Sequence, residues 1–122
     1  MADGVATGTA NTAVSDITTS AAWIQLHIGA PGAPGTANPS SVTTRIAVTW
    51  GTISGGSVSA SNSPAWTGWA GTNGEVVTDI SFWSAASGGT FAFSMHLGPS
   101  VTMDLGDSLT LTSLQVNIPV AS

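Results

Sequence analysis

From Ala21 onward, apolar and polar residues alternate with the period of two expected of strands that bury one face. In the stretch 23–28, Ile24, Leu26 and Ile28 share one face, and Trp23, Gln25 and His27 share the other. The stretch 41–50 places Ile46, Val48 and Trp50 opposite Arg45, Ala47 and Thr49. A third run, 75–83, sets Val76, Thr78, Ile80 and Phe82 against Val77, Asp79, Ser81 and Trp83. The run 90–97 is the clearest half-buried strand, with Phe91, Phe93, Met95 and Leu97 alternating with Ala92, Ser94 and His96. Val101, Met103 and Leu105 predict a further short strand. Leu109 and Leu111 then give way to Leu114, Val116 and Ile118, a change of parity that predicts a bulge or break near Ser113.

Turn chemistry separates these runs. Gly29-Ala30-Pro31-Gly32-Ala33-Pro34-Gly35 reads as a polyproline-like surface loop; it is too short for a collagen helix. The segment 51–56 is a turn region, and Ser57-Val58-Ser59-Ala60-Ser61 reads as a polar edge strand. Pro64 interrupts the pattern before Trp66 and Trp69. Asn73-Gly74 predicts a hairpin turn, as does Ser87-Gly88-Gly89. Seven to nine short antiparallel strands at this spacing predict an all-β fold, a single β-sandwich or barrel-like domain over residues 21–122.

Residues 1–20 break the rhythm. They are rich in Ala, Thr, Asn and Gly, and 11–18 has room for two helical turns with Ala13 and Ile17 on one face. β-Branched residues and Gly make an isolated helix there marginal. The expectation is an N-terminal arm or short helix, with Val5, Ala13 and Ile17 as candidate assembly contacts.

Composition changes the picture sharply. Charged residues make up 6% of the chain, against roughly 25% in ordinary soluble domains. Arg45 is the single basic side chain, and the net charge is −5. Free domains normally carry mixed surface charge that keeps them apart. A surface of Ser, Thr, Asn, Gly and Ala suits a protein that works docked against other copies or a large partner. One Arg cannot displace counterions from nucleic acid or bind an anionic membrane, so both are excluded as partners. No apolar run approaches the ~20 residues of a spanning helix, and the opening residues have no secretory-signal pattern. With no Cys there is no disulfide framework and no thiolate metal site.

Candidate chemistry is sparse. His27 and His96 with Glu75, Asp79 or Asp104 lack metal-ligand spacing, so no metal or other cofactor is expected. Ser is abundant, but there is no Gly-x-Ser-x-Gly nucleophile elbow to support a Ser/His/Asp triad. Asp104-Leu105-Gly106-Asp107 lacks the acidic density of a calcium loop and reads as a turn. Trp66 and Trp69 have three readings: core packing, a buried interface anchor, or exposed rings that stack on sugars. Arg45 is expected to pair with a carboxylate, in its own chain or across a subunit contact.

Three stretches carry a resemblance: Trp23-Ile24-Gln25-Leu26-His27 with its Pro/Gly loop, Arg45 to Gly51, and Ile80-Ser81-Phe82-Trp83-Ser84-Ala85-Ala86 through Phe91. With the opening Met1-Ala2-Asp3-Gly4-Val5-Ala6-Thr7, the chain resembles small virion structural proteins of tailed phages that infect actinobacteria. Members of that group are labelled head-decoration, minor tail or tail-fibre proteins. The Gly-Ala-Pro repeats and the segment 66–69 depart from the group's pattern. The resemblance implies no catalytic residues. It implies a place on the virion surface after assembly in the host cytoplasm.

The leading functional expectation is therefore a capsid decoration (cement) protein, a homo-oligomer, expected to be a trimer, seated on the major capsid protein or other virion proteins. It would stabilise the shell by binding only the assembled state. The chain's shortness favours this over a fibre, since fibres are usually long and repetitive. The alternative is a tail-fibre or tail-tip module that binds host-surface glycans through Trp66 and Trp69.

Overall fold

The computed structural model describes residues 5–118. They form one helix, α1 (Thr7–Thr19), and eight strands: β1 (Trp23–His27), β2 (Ile46–Ala47), β3 (Ser57–Ser59), β4 (Ala65–Trp66), β5 (Glu75–Trp83), β6 (Phe91–Met103), β7 (Leu109–Thr110) and β8 (Gln115–Asn117). All pairings are antiparallel. A four-stranded sheet has the order β2-β1-β5-β6, and two-stranded ladders join β3 to β8 and β4 to β7. The all-β expectation holds, with a helix at the start. The first four and last four residues of the chain, including the opening Met1-Ala2-Asp3-Gly4 of the resemblance, lie outside the described residues.

The core forms where the inner face of the large sheet meets the segments that carry the ladders. Ile24, Leu26, Ile80 and Phe82 from the sheet pack with Val48, Trp66, Trp69, Leu109 and Leu114. Phe82 stacks on Phe93 with ring centroids 4.3 Å apart. Ile24 and Leu26 are buried as the alternation of 23–28 predicts, but Ile28 is 47% exposed. The strand ends at His27, and the Ile28 N–H instead bonds the Asn38 carbonyl as the chain turns away.

Two irregularities in the β5–β6 ladder redirect side chains that simple alternation misplaces. Between Val77 and Asp79 the register shifts, because β6 runs from His96 to Val101 across the same step. Val77 therefore joins Ile80 and Phe82 in the core, and Val76 faces solvent. Phe82 pairs with Phe93, yet Trp83 pairs with Phe91. This second bulge puts Phe91 with Trp83 rather than with Phe93. A bulge reverses the parity of everything beyond it. The expected strand at 101–105 is also not separate: it continues β6 as far as Met103.

Other expectations divide. The break near Ser113 is real and separates β7 from β8. Ser87-Gly88-Gly89 lies in the turn between β5 and β6. Asn73-Gly74 is a turn, but not a hairpin. The strands it joins have different partners, and Asn73 Oδ1 accepts the Leu105 N–H at 2.9 Å instead.

α1 is longer than 11–18, and its inner face differs from the one expected. Ala10 and Val14, four residues apart, are fully buried, while Ala13 is half-buried. Val14 packs with Val58 and Val116, and Ile17 flanks them. Thr12, Thr18 and Thr19 direct their hydroxyls to carbonyls four residues back, which lets β-branched residues sit in the helix. Asn11 Oδ1 accepts the Gly56 N–H at 2.7 Å and ties α1 to the turn before β3.

Candidate interaction surface

β6 is an edge strand of the large sheet, and a groove runs along it. About 790 Å³ of space lies between residues 90–95 of β6 and its approach, residues 115–118 at β8, and the last turn of α1. Phe93, Met95, Ile17, Val116 and Ile118 make its walls largely apolar. A second hollow of about 350 Å³ continues beside Leu97, walled by Leu109, Leu111 and Leu114. Phe93, Met95 and Leu97 are half-buried there, whereas Ser94 and His96 point outward and are exposed. The nearest carboxylate to His96 is Asp79, with Nδ1 3.4 Å from Oδ1.

Ile17 is the one candidate arm contact that lines this groove. Ala13 lines a shallow hollow on the outer side of α1 with Gly8, Thr9 and Thr12, and Val5 is half-buried ahead of the helix. The structure does not bring the three together. Sequence reasoning missed the groove because its walls come from three distant segments. The available signal was the lack of any Asp, Glu, Lys or Arg between Phe91 and Met103.

Trp66 and Trp69 are both buried, at 4% and 3% exposure. Their indole N–H groups donate inward, to the Thr44 carbonyl at 2.9 Å and the Thr72 carbonyl at 3.0 Å. On a regular strand, three-residue spacing would send them to opposite faces. β4 ends at Trp66, and Gly68 adopts φ +61°, so the chain folds back and both rings enter the core. The expectation of fully exposed rings for sugar stacking is corrected: both are buried, though with Val42 and Ile46 they line a hollow of about 460 Å³.

Arg45 lies on the opposite, outer side of the sheet. Its guanidinium sits 4.2 Å from the centroid of the Trp83 ring. Nε donates to Gln25 Oε1 at 3.1 Å, and one terminal nitrogen donates to the carbonyls of Ala85 and Gly88 at 2.9 and 2.7 Å. Burial pushes its pKa down from the usual value, and Arg stays charged regardless. Among the described residues, carbonyl oxygens and an aromatic face, not a carboxylate, meet the guanidinium. The loop 84–89 curls over the strand ends and supplies these acceptors.

The same side holds a buried polar chain. His27 Nδ1–H donates to the Ala37 carbonyl at 2.9 Å, which turns Nε2 to the Ser81 hydroxyl at 2.6 Å. Ser81 Oγ in turn accepts the Trp83 indole N–H at 2.7 Å. A Ser–His pair is thus present, but the distal ring nitrogen faces a carbonyl rather than a carboxylate. Both residues have no exposure, so no substrate reaches the hydroxyl. Pro31 and Gly35 of the Pro/Gly loop are buried on this side, Gly35 against the Phe91 ring. Among the described residues, no group of three or more His, Asp or Glu is placed to hold a metal.

The surface that remains is a sparsely charged β scaffold with a largely apolar groove that Asp16 borders, its polar clusters spent on internal hydrogen bonds. No curated protein matches the chain. A family model described as podophage GP4 fiber I protein gp80 matches residues 1–119. The chain belongs to this Gp80 family of phage fibre proteins and is a structural part of the virion.

Proposed function

We propose that the protein is a non-enzymatic building unit of a phage fibre that associates with other copies of itself through its sparsely charged surface. The observation that carries this reading is the apolar groove beside β6 on a chain with one cation. Side chains such as Ser, Thr and Ala enter a contact without the desolvation cost of ions, and apolar walls gain from being covered. Family membership supplies the setting, a fibre. It replaces shell decoration as the reading: chain length favoured decoration, and the family match gives that role no support. The host group is no part of the match either, so the actinobacterial host stays with the resemblance alone.

Glycan binding loses its proposed residues, because Trp66 and Trp69 are inside. Two measurements test the reading. Immunogold labelling of purified virions is expected to mark fibres and leave the shell bare. Light scattering after size exclusion is expected to give a mass above the 12.1 kDa chain. Label spread over the shell, or a monomer at every concentration, would overturn it.

A further inference from the structure

We propose that the open edge of β6 pairs antiparallel with β6 of a second copy across a two-fold axis through Met95, joining two sheets into one. This deepens the reading that the chain associates with itself and rests on it.

The first observation is the state of the edge. β6 pairs with β5 on one side only. Among the described residues, positions 91–102 make no backbone hydrogen bond outside that ladder and the hairpin it closes. An exposed edge is a template for another strand. Natural edges are protected by charges, bulges, Pro or shortness. The stretch 93–97 has no Asp, Glu, Lys or Arg. It is bounded by the bulge at Ala92 on one side and Pro99 on the other. These devices leave one short, regular segment open and block slippage beyond it.

The second observation identifies the occupant. Among the described residues, every other strand that stands at an edge is two or three residues long. A second copy therefore offers one edge of matching length, β6 itself. The pairing is isologous and closes with two copies, so a trimer would need a different surface.

The third observation is self-complementarity. With the axis at Met95, Phe93 faces Leu97 of the second copy, Ser94 faces its His96, and Met95 faces Met95. Apolar side chains meet along the groove, and polar ones meet on the outside. The one titratable group within 93–97, His96, lies opposite a hydroxyl and not opposite its own copy; Asp79 beside it and Asp16 at the groove are the nearby carboxylates. Phe93 and Met95, half-buried in the monomer, are covered, and cross-strand contacts of this kind stabilise a sheet.

The test uses the full chain, whose lack of Cys makes introduced thiols unambiguous. Ser94→Cys and His96→Cys proteins, mixed and oxidised, are expected to cross-link to each other, because directly opposed positions lie within disulfide reach. Neither is expected to cross-link to itself. The exposed double variant S94K/H96K sets like charges against each other. It is expected to weaken association at least about tenfold, and S94K/H96E is expected to restore it. Circular dichroism confirms that each variant is folded. Association that survives S94K/H96K unchanged, or Ser94→Cys protein that links to itself, would overturn the β6 pairing and leave self-association standing. A monomer at every concentration would overturn both.

Discussion

The Arg45 guanidinium lies 4.2 Å above the Trp83 ring while its Nη1 donates to the carbonyls of both Ala85 and Gly88. The chain's single cation thus pins the loop after β5 to the sheet. A cation over an indole is worth about 0.5–2 kcal/mol, and hydrogen bonds from a charged donor about 1.5–3 kcal/mol. Arg45→Ala is therefore expected to destabilise the fold by about 2–3 kcal/mol in urea. Arg45→Lys loses the planar fork that serves several acceptors and is expected to recover less than half of that. An Arg45→Lys protein as stable as the parent would show that charge alone suffices.

Ser81 stands between His27 and Trp83 and serves both. Ser81→Ala strands two buried polar groups, each at a cost of about 1–3 kcal/mol. A loss of about 2–4 kcal/mol is expected in chemical denaturation, with a shift in Trp fluorescence. The same burial predicts that a serine-directed phosphonate leaves the folded protein unlabelled. Mass spectrometry that found Ser81 modified without unfolding would contradict the sealed site.

Gly35 combines φ +77° with a Cβ direction aimed into the Phe91 ring. Gly55 has φ +59° and open space around it. The two positions separate backbone strain from collision. Gly55→Ala is expected to cost about 1 kcal/mol, the left-handed penalty alone. Gly35→Ala adds the displacement of a packed ring and is expected to cost about 2–4 kcal/mol. Thermal melts compare them directly; equal losses would show that Phe91 yields freely.

Trp66 and Trp69 fill the core, so their removal is a stability experiment. Trp66→Ala is expected to cost about 3–5 kcal/mol through lost contacts and an unfilled cavity. Trp66→Phe keeps most of the volume but orphans the Thr44 carbonyl, and about 1–2 kcal/mol is expected. A folded Trp66→Ala protein of parental stability would place the ring outside the core.

Much of the fold was legible in local pattern. Alternation alone grouped Ile24 with Leu26 and Ile80 with Phe82, pairs that the structure buries together, and the break near Ser113 followed from parity. Alternation failed at Val76, Val77 and Phe91, each next to a register shift in the β5–β6 ladder. A bulge is set by the length of the partner strand, and a single strand's sequence does not carry that length. The inner face of α1 was misread because the helix starts at Thr7, and Val14 is chosen by Val58 and Val116 rather than by its own neighbours.

The groove beside β6 shows the same division. Charge content was fixed by composition alone: one cation, no Cys, and an uncharged run through 91–103. It sets the expectation against a nucleic-acid partner and leaves no thiolate to ligate a metal. Which neutral strand stands at the open edge, and whether Trp66 and Trp69 face out or in, were decided by tertiary structure. The physical reason is that edge and interior are relations between segments distant in sequence. Ile17, Phe93 and Val116 become one wall only when the helix, the large sheet and the β3–β8 ladder pack together.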